Sequence, residues 1–152
     1  MMITIQRTST ENADFLALVK DLDAELAIRD GDEHDFYDQF NKLHNIKYVI
    51  VAYQDGTAVG CGAIKEYAPD TMEVKRMFVP MAHRGKGIAG SILKALENWA
   101  KELDYTKCIL ETGIRQPEAI ALYKKNNYTI TANYGQYKDA VGSVCFEKLL
   151  NT

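Results

Sequence analysis

The stretch from Glu73 to Leu103 constrains this chain more than any other. Glu73 to Val79 reads as a strand, stopped by Pro80. A glycine-rich segment follows, Arg84-Gly85-Lys86-Gly87-Ile88-Ala89-Gly90. Ile88, Ile92, Leu93, Leu96, Trp99, Ala100 and Leu103 then fall on one stripe at helical spacing. A strand that feeds a glycine-rich loop into an amphipathic helix aims successive backbone N–H groups at one point, where the helix dipole adds positive charge. At Gly85 and Gly87 a Cβ would block close approach of a phosphate. Arg84 and Lys86 add cationic charge beside them. The physics of this loop calls for a phosphate or pyrophosphate ligand.

The rest of the chain supplies partners for that unit. Ile3 to Thr8 alternates as a strand, and Thr10 is placed to cap the next helix, whose apolar positions are Phe15, Leu18, Val19, Leu22 and Leu26. Gly31 breaks that helix, and Phe36, Tyr37, Phe40 and Leu43 suggest a second, shorter one. Tyr48 to Tyr53 and Ala58 to Tyr67 are strands joined by an Asp55-Gly56 hairpin turn, and Pro69-Asp70 turns the chain once more. Cys108 to Glu111 is a strand, Pro117 opens a helix, and Tyr128 to Thr131 and Ser143 to Leu149 are the last strands. This order predicts an α/β fold: one mixed, mostly antiparallel sheet with helices on both faces, in a single domain spanning 1–152.

Composition narrows the function. The net charge of −3, with no basic block, argues against nucleic acid as a partner. No apolar run is long enough to span a bilayer and no signal peptide is visible, so a membrane is not expected as a partner. Cys61, Cys108 and Cys145 are an odd set without paired spacing, each within an apolar run, which predicts buried free thiols in a reducing cytoplasm. His34, His44 and His83 are scattered, so no metal site is expected. Association as a homodimer is left open.

Two readings compete for the glycine loop. Gly85-x-Gly87-x-x-Gly90 fits a dinucleotide fingerprint, with Glu111 near the place of a ribose-binding acid. That fingerprint wants its first glycine tight against the strand end, however, and Pro80 to Arg84 intervene. The chain is also short for a dinucleotide domain plus a substrate domain. The stretch Arg84-x-x-Gly87-x-Ala89 resembles instead the acetyl-CoA motif of the GNAT superfamily of N-acetyltransferases. Glu73-Val-Lys-Arg-Met-Phe-Val79 looks like that family's fourth strand, Leu110-Glu-Thr-Gly113 like its fifth, and Pro117 to Tyr128 like the helix and strand of its second conserved block. The blocks cover Glu73 to about Tyr128; the N-terminal half is similar in element order only. Gln116 stands where the family often has Asn, and Asn127 where it has Gly, a mild change because Asn tolerates the left-handed conformation.

The resemblance implies an N-acetyltransferase in which an amine attacks the thioester of acetyl-CoA directly. Met77, Phe78 and Val79 would pair with the pantetheine arm, a backbone N–H there polarising the thioester carbonyl. Arg84, Gly85, Lys86, Gly87, Ile88 and Ala89 would hold the pyrophosphate, and Gln116 would meet the pantetheine. Tyr123 takes the position of the general acid and Glu73 that of a general base, unless Glu73 is a solvated carboxylate paired with Lys75 or Arg76. His83 reads as an ordinary loop residue. On the acceptor side, Asp21 to Asp38 carries eight acids and only Arg29 as a fixed cation, and Tyr134 and Tyr137 could frame a pocket. A non-catalytic acyl-CoA sensing module would share the same loop; only acid–base groups at the thioester would tell the two apart.

Overall fold

The computed structural model of the protein describes residues 2–30, 43 and 45–150. The predicted helix from Phe36 to Leu43 falls largely outside them, as do His34 and His44. Within them, strand β1 (Thr4–Thr8) leads to helix α1 (Ala13–Asp30). Strands β2 (Tyr48–Gln54), β3 (Thr57–Ala68) and β4 (Thr71–Phe78) follow, then helix α2 (Ile88–Glu102), β5 (Lys107–Gly113), helix α3 (Pro117–Lys125), β6 (Thr129–Thr131) and β7 (Ser143–Leu149). The expected cap is corrected: α1 begins three residues beyond Thr10, and Asn12 Oδ1 accepts from the Phe15 N–H at 2.9 Å.

The strands form one seven-stranded sheet in the order β1-β2-β3-β4-β5-β7-β6. Every neighbouring pair is antiparallel except β4 with β5. The dinucleotide reading required a doubly wound parallel sheet, and this topology excludes it. The Asp55-Gly56 turn has φ 51° and 81°, the pair of positive values that a two-residue hairpin demands.

Alternation in β2 assigns the two faces. Val49 and Val51 pack on Phe15, Leu18, Val19 and Leu22 of α1. Ile50 and Ala52 face the opposite layer, where Ile88, Ile92, Leu93 and Leu96 of α2 and Tyr123 of α3 complete the larger core. Helix α2 lies hard against β3: a Cβ on Gly62 would sit 2.6 Å from Met77 Sδ and 2.9 Å from both Ile92 and Leu96, so only glycine fits there. Cys61, Cys108 and Cys145 are free and buried. Among the described residues no helix is long and apolar enough to cross a membrane.

Two local features open the sheet at its centre. Strand β4 is registered with β5 only from Thr71 to Glu73, so Val74 to Phe78 leaves the β5 side of its backbone unpaired by that strand. In the same half, Arg76 has φ 57°, and the β3 register shifts between Cys61 and Ala63. Two residues of β4, Arg76 and Met77, therefore stand against Gly62, which is a β-bulge. A bulge bends its strand, and in this half β4 is no longer registered with β5. The Cys61 thiol donates to the Arg76 carbonyl beneath it at 3.4 Å.

Candidate active site

The gap between the diverging strands is a cavity of about 110 Å³. It is bordered by Glu73, Lys75, Arg76 and Met77 of β4, Glu111 and Thr112 of β5, Gln116 and Tyr123 from the α3 side, and Tyr137. Glu73 is 6% exposed, which corrects the alternative of a solvated carboxylate. Tyr134 Oη donates to Glu73 Oε2 at 2.7 Å, while the Lys75 ammonium lies 4.0 Å from the same oxygen. Arg76 turns the other way, to Asp23 of α1.

Tyr123 is 6% exposed, and its ring packs on Tyr128 and Phe146 with centroids 5.9 Å away in both cases. Burial, and then the negative charge of Glu111, push its phenol pKa up, so the proton stays on at neutral pH. Tyr134 is wedged edge-on between Tyr67 and Tyr137, at 5.1 and 5.8 Å. The Tyr134 and Tyr137 hydroxyls are likewise raised, first by burial. Tyr134 thus touches the acid at the cavity and Tyr137 borders the cavity itself. Arg29 does neither: it pairs with Glu118 on α3.

The glycine loop is a short 3₁₀ turn (Met81–His83) running into α2. Gly87 is the N-cap of α2 with φ 78°, and Gly85 has φ 81°. Among the described residues, and apart from the immediate chain neighbours, no atom lies within 4 Å of a Cβ built on either. These positive φ values favour glycine at both positions. Lys86 is exposed, Ile88 is buried in the core and Ala89 is half-buried. Arg84 Nε donates to the Val79 carbonyl at 2.8 Å, and its guanidinium meets both Glu25 oxygens at 2.9 and 3.0 Å. Gln116 is the residue before α3 and borders the cavity. Met77 borders it too, while Phe78 and Val79 are buried. Asn127 has φ 71°, the left-handed value its position demands.

Three participants escaped the sequence reading. Glu111, whose Oε2 accepts from Ser143 Oγ at 2.7 Å, had drawn notice only under the dinucleotide reading. Lys75 had been seen only as a surface partner; desolvation lowers its pKa, against the opposing pull of Glu73. The Arg76 bulge had no local signal, because nothing in Val74-Lys75-Arg76-Met77 requires a positive φ. The one available hint was the polar alternation of Glu73 and Lys75 in a strand flanked by core residues. Among the described residues no group of three or more acidic, histidine or cysteine side chains could hold a metal.

Comparison with known proteins agrees with this architecture. Residues 15–128 match the profile of the acetyltransferase (GNAT) family. A relative named IAA acetyltransferase, from Azospirillum brasilense, is 40% identical over 105 residues, 66% of this chain and 67% of that one. A Klebsiella pneumoniae structure assigned to the acyl-CoA N-acyltransferases superposes with a TM-score of 0.83 at 34% identity, over 99% of both chains. A GNAT family acetyltransferase from Elizabethkingia anophelis, solved with acetyl-CoA bound, shares the fold with a TM-score of 0.72 at 22% identity, over 97% of this chain and 98% of that one. The chain belongs to the acetyltransferase (GNAT) family and is an N-acetyltransferase by class. Membership makes acetyl-CoA the acyl donor.

Proposed function

We propose that this protein, acting as one domain over 1–152, moves the acetyl group of acetyl-CoA onto a primary amine of a small molecule or peptide by direct attack in a ternary complex. One observation carries the reading: Glu73 and Tyr123 border a single cavity at the point where β4 stops pairing with β5. The pantetheine arm adds to the open edge at Met77, Phe78 and Val79, as a strand would. The pyrophosphate rests on the N–H groups from Gly85 to Ala89, with Lys86 adding charge. Gln116 supplies an amide to the arm.

The amine nitrogen attacks the thioester carbon, and the oxyanion is met by a backbone N–H of β4. The amine proton passes to Glu73. The C–S bond then breaks, and the departing thiolate takes the proton of Tyr123, which is later replaced from solvent. These roles are supported by the hydrogen bond that holds Glu73 and by the burial that keeps Tyr123 protonated. The buried thiols suit a reducing compartment such as the cytoplasm. The test is release of CoA from acetyl-CoA across amine classes, with IAA included because of the name of the Azospirillum relative. Acceptor-dependent release supports the reading. Binding of acetyl-CoA with no turnover on any acceptor favours the sensing module.

A further inference from the structure

The positive φ of Arg76 has no cause within its own strand. A residue other than glycine keeps a φ of 57° only where its surroundings hold it there. Two contacts pin Arg76. Its side chain is 2% exposed, and its guanidinium ends on the Asp23 carboxylate of α1. Its carbonyl accepts from the Cys61 thiol of β3. Neither partner is a chain neighbour: Asp23 lies fifty-three residues away and Cys61 fifteen.

These contacts fix the peptide that joins Arg76 to Met77. That peptide is trans, so its C=O and N–H point in opposite directions. The carbonyl is turned to Cys61 of β3, and β5 lies on the other side of β4. The Met77 N–H therefore points away from Cys61, on the side where β4 no longer pairs with β5. Resting on the function proposed above, we infer that Asp23 is a positioning residue for acyl transfer: through Arg76 it holds the bulge that presents the Met77 N–H to the thioester carbonyl. Asp23 does not border the cavity itself. The arrangement is costly, since the buried guanidinium is desolvated and its Nε finds no hydrogen-bond partner among the described residues. An apolar residue in a regular strand would need neither the ion pair nor the left-handed backbone. Both are kept where β4 must offer an N–H in one fixed direction, and a donor fixed in advance is the kind that stabilises an oxyanion best.

Acetyl-CoA labelled with carbon-13 at its carbonyl tests this on the full chain without an acceptor. Infrared difference spectra report how strongly the thioester carbonyl is polarised, and calorimetry reports affinity. In the wild type the bound carbonyl should absorb at lower frequency than the free thioester. Asp23→Asn should return most of that shift with little loss of affinity. On any amine the wild type accepts, kcat should fall by ~10–10²-fold, as for a misplaced group. Glycine supplies the rescue. Arg76→Ala should lose the shift as Asp23→Asn does, whereas Arg76→Gly, which adopts a positive φ unaided, should keep much of it. This second pair leaves no buried charge, and it carries the test if Asp23→Asn folds poorly. An Asp23→Asn protein with a lower Tm but an unchanged carbonyl band makes the ion pair a structural clamp only and overturns the inference. Arg76→Gly and Arg76→Ala behaving alike overturns it too, as does an unshifted carbonyl on the wild type. No binding of acetyl-CoA by the wild type overturns the proposed function as well.

Discussion

The two ends of the candidate site are built from different materials. The end proposed for the coenzyme is backbone: the Gly85 and Gly87 turns, the first N–H groups of α2 and the edge of β4 left unpaired by β5. The end proposed for the acceptor is side chains drawn from distant parts of the chain. Glu73 is held by Tyr134, sixty-one residues away, and Glu111 by Ser143, thirty-two residues away. A backbone site tolerates side-chain exchange but not a change of φ. A side-chain site behaves in the opposite way. Substitutions at the two ends should therefore separate binding of the donor from chemistry on the acceptor.

The largest separation is expected at Tyr123. Tyr123→Phe keeps the ring against Tyr128 and Phe146 and removes only the proton, so kcat should fall by ~10²–10⁴ with little change in KM for acetyl-CoA. A steady-state assay that shows full activity would remove Tyr123 from the chemistry. Gly87→Glu should act the other way. It forces a side chain into a φ of 78° and sets a carboxylate where the pyrophosphate would lie, so CoA affinity by calorimetry should drop by at least about tenfold, while circular dichroism shows the fold retained. Unchanged affinity would remove the loop from the donor site.

A middle-sized effect belongs to the Tyr134–Glu73 contact. Tyr134→Phe leaves the ring between Tyr67 and Tyr137 but strips Glu73 of its donor, so kcat should fall by roughly tenfold, as for one charge-assisted hydrogen bond. CoA affinity should not move; if it does, the two ends are not independent. Removing the cap with Asn12→Ala should cost about 1 kcal/mol and lower Tm by ~2–4 °C without touching either end. The smallest effect expected is on the thiols. Burial pushes Cys61 and Cys108 up to about 12 and Cys145 to about 11, so native protein at pH 8 should stay unreactive to a thiol reagent that finds all three in denaturant.

The same contrast explains what was readable before the structure. The glycine loop, the stripe of α2, the Asp55-Gly56 hairpin and the left-handed Asn127 are short-range patterns, each with its physical reason inside a few residues. They carried the fold and the loop proposed for the donor. The burial of Lys75, the hold of Tyr134 on Glu73 and the recruitment of Glu111 depend on the neighbours that the sheet order brings together, and no local spacing encodes that order. Arg84 has protein partners that its place in the loop does not announce. It was expected at a phosphate, yet it bridges the Val79 carbonyl and Glu25, a partner fifty-nine residues away. The Thr10 cap failed for a smaller reason, since Asn12 is the better-placed acceptor two residues on.

In the proposed reaction, donor and acceptor meet at the open edge of β4 and react without an enzyme-bound acetyl group. The most direct test is to incubate the protein with acetyl-CoA alone, then with an accepted amine, following thiol release and intact protein mass together. Direct attack predicts no thiol burst and no gain in mass until the amine is added, with intersecting initial-velocity lines when both substrates are varied. A stoichiometric burst of CoA without acceptor, accompanied by a protein heavier by one acetyl group that the amine then discharges, would contradict it.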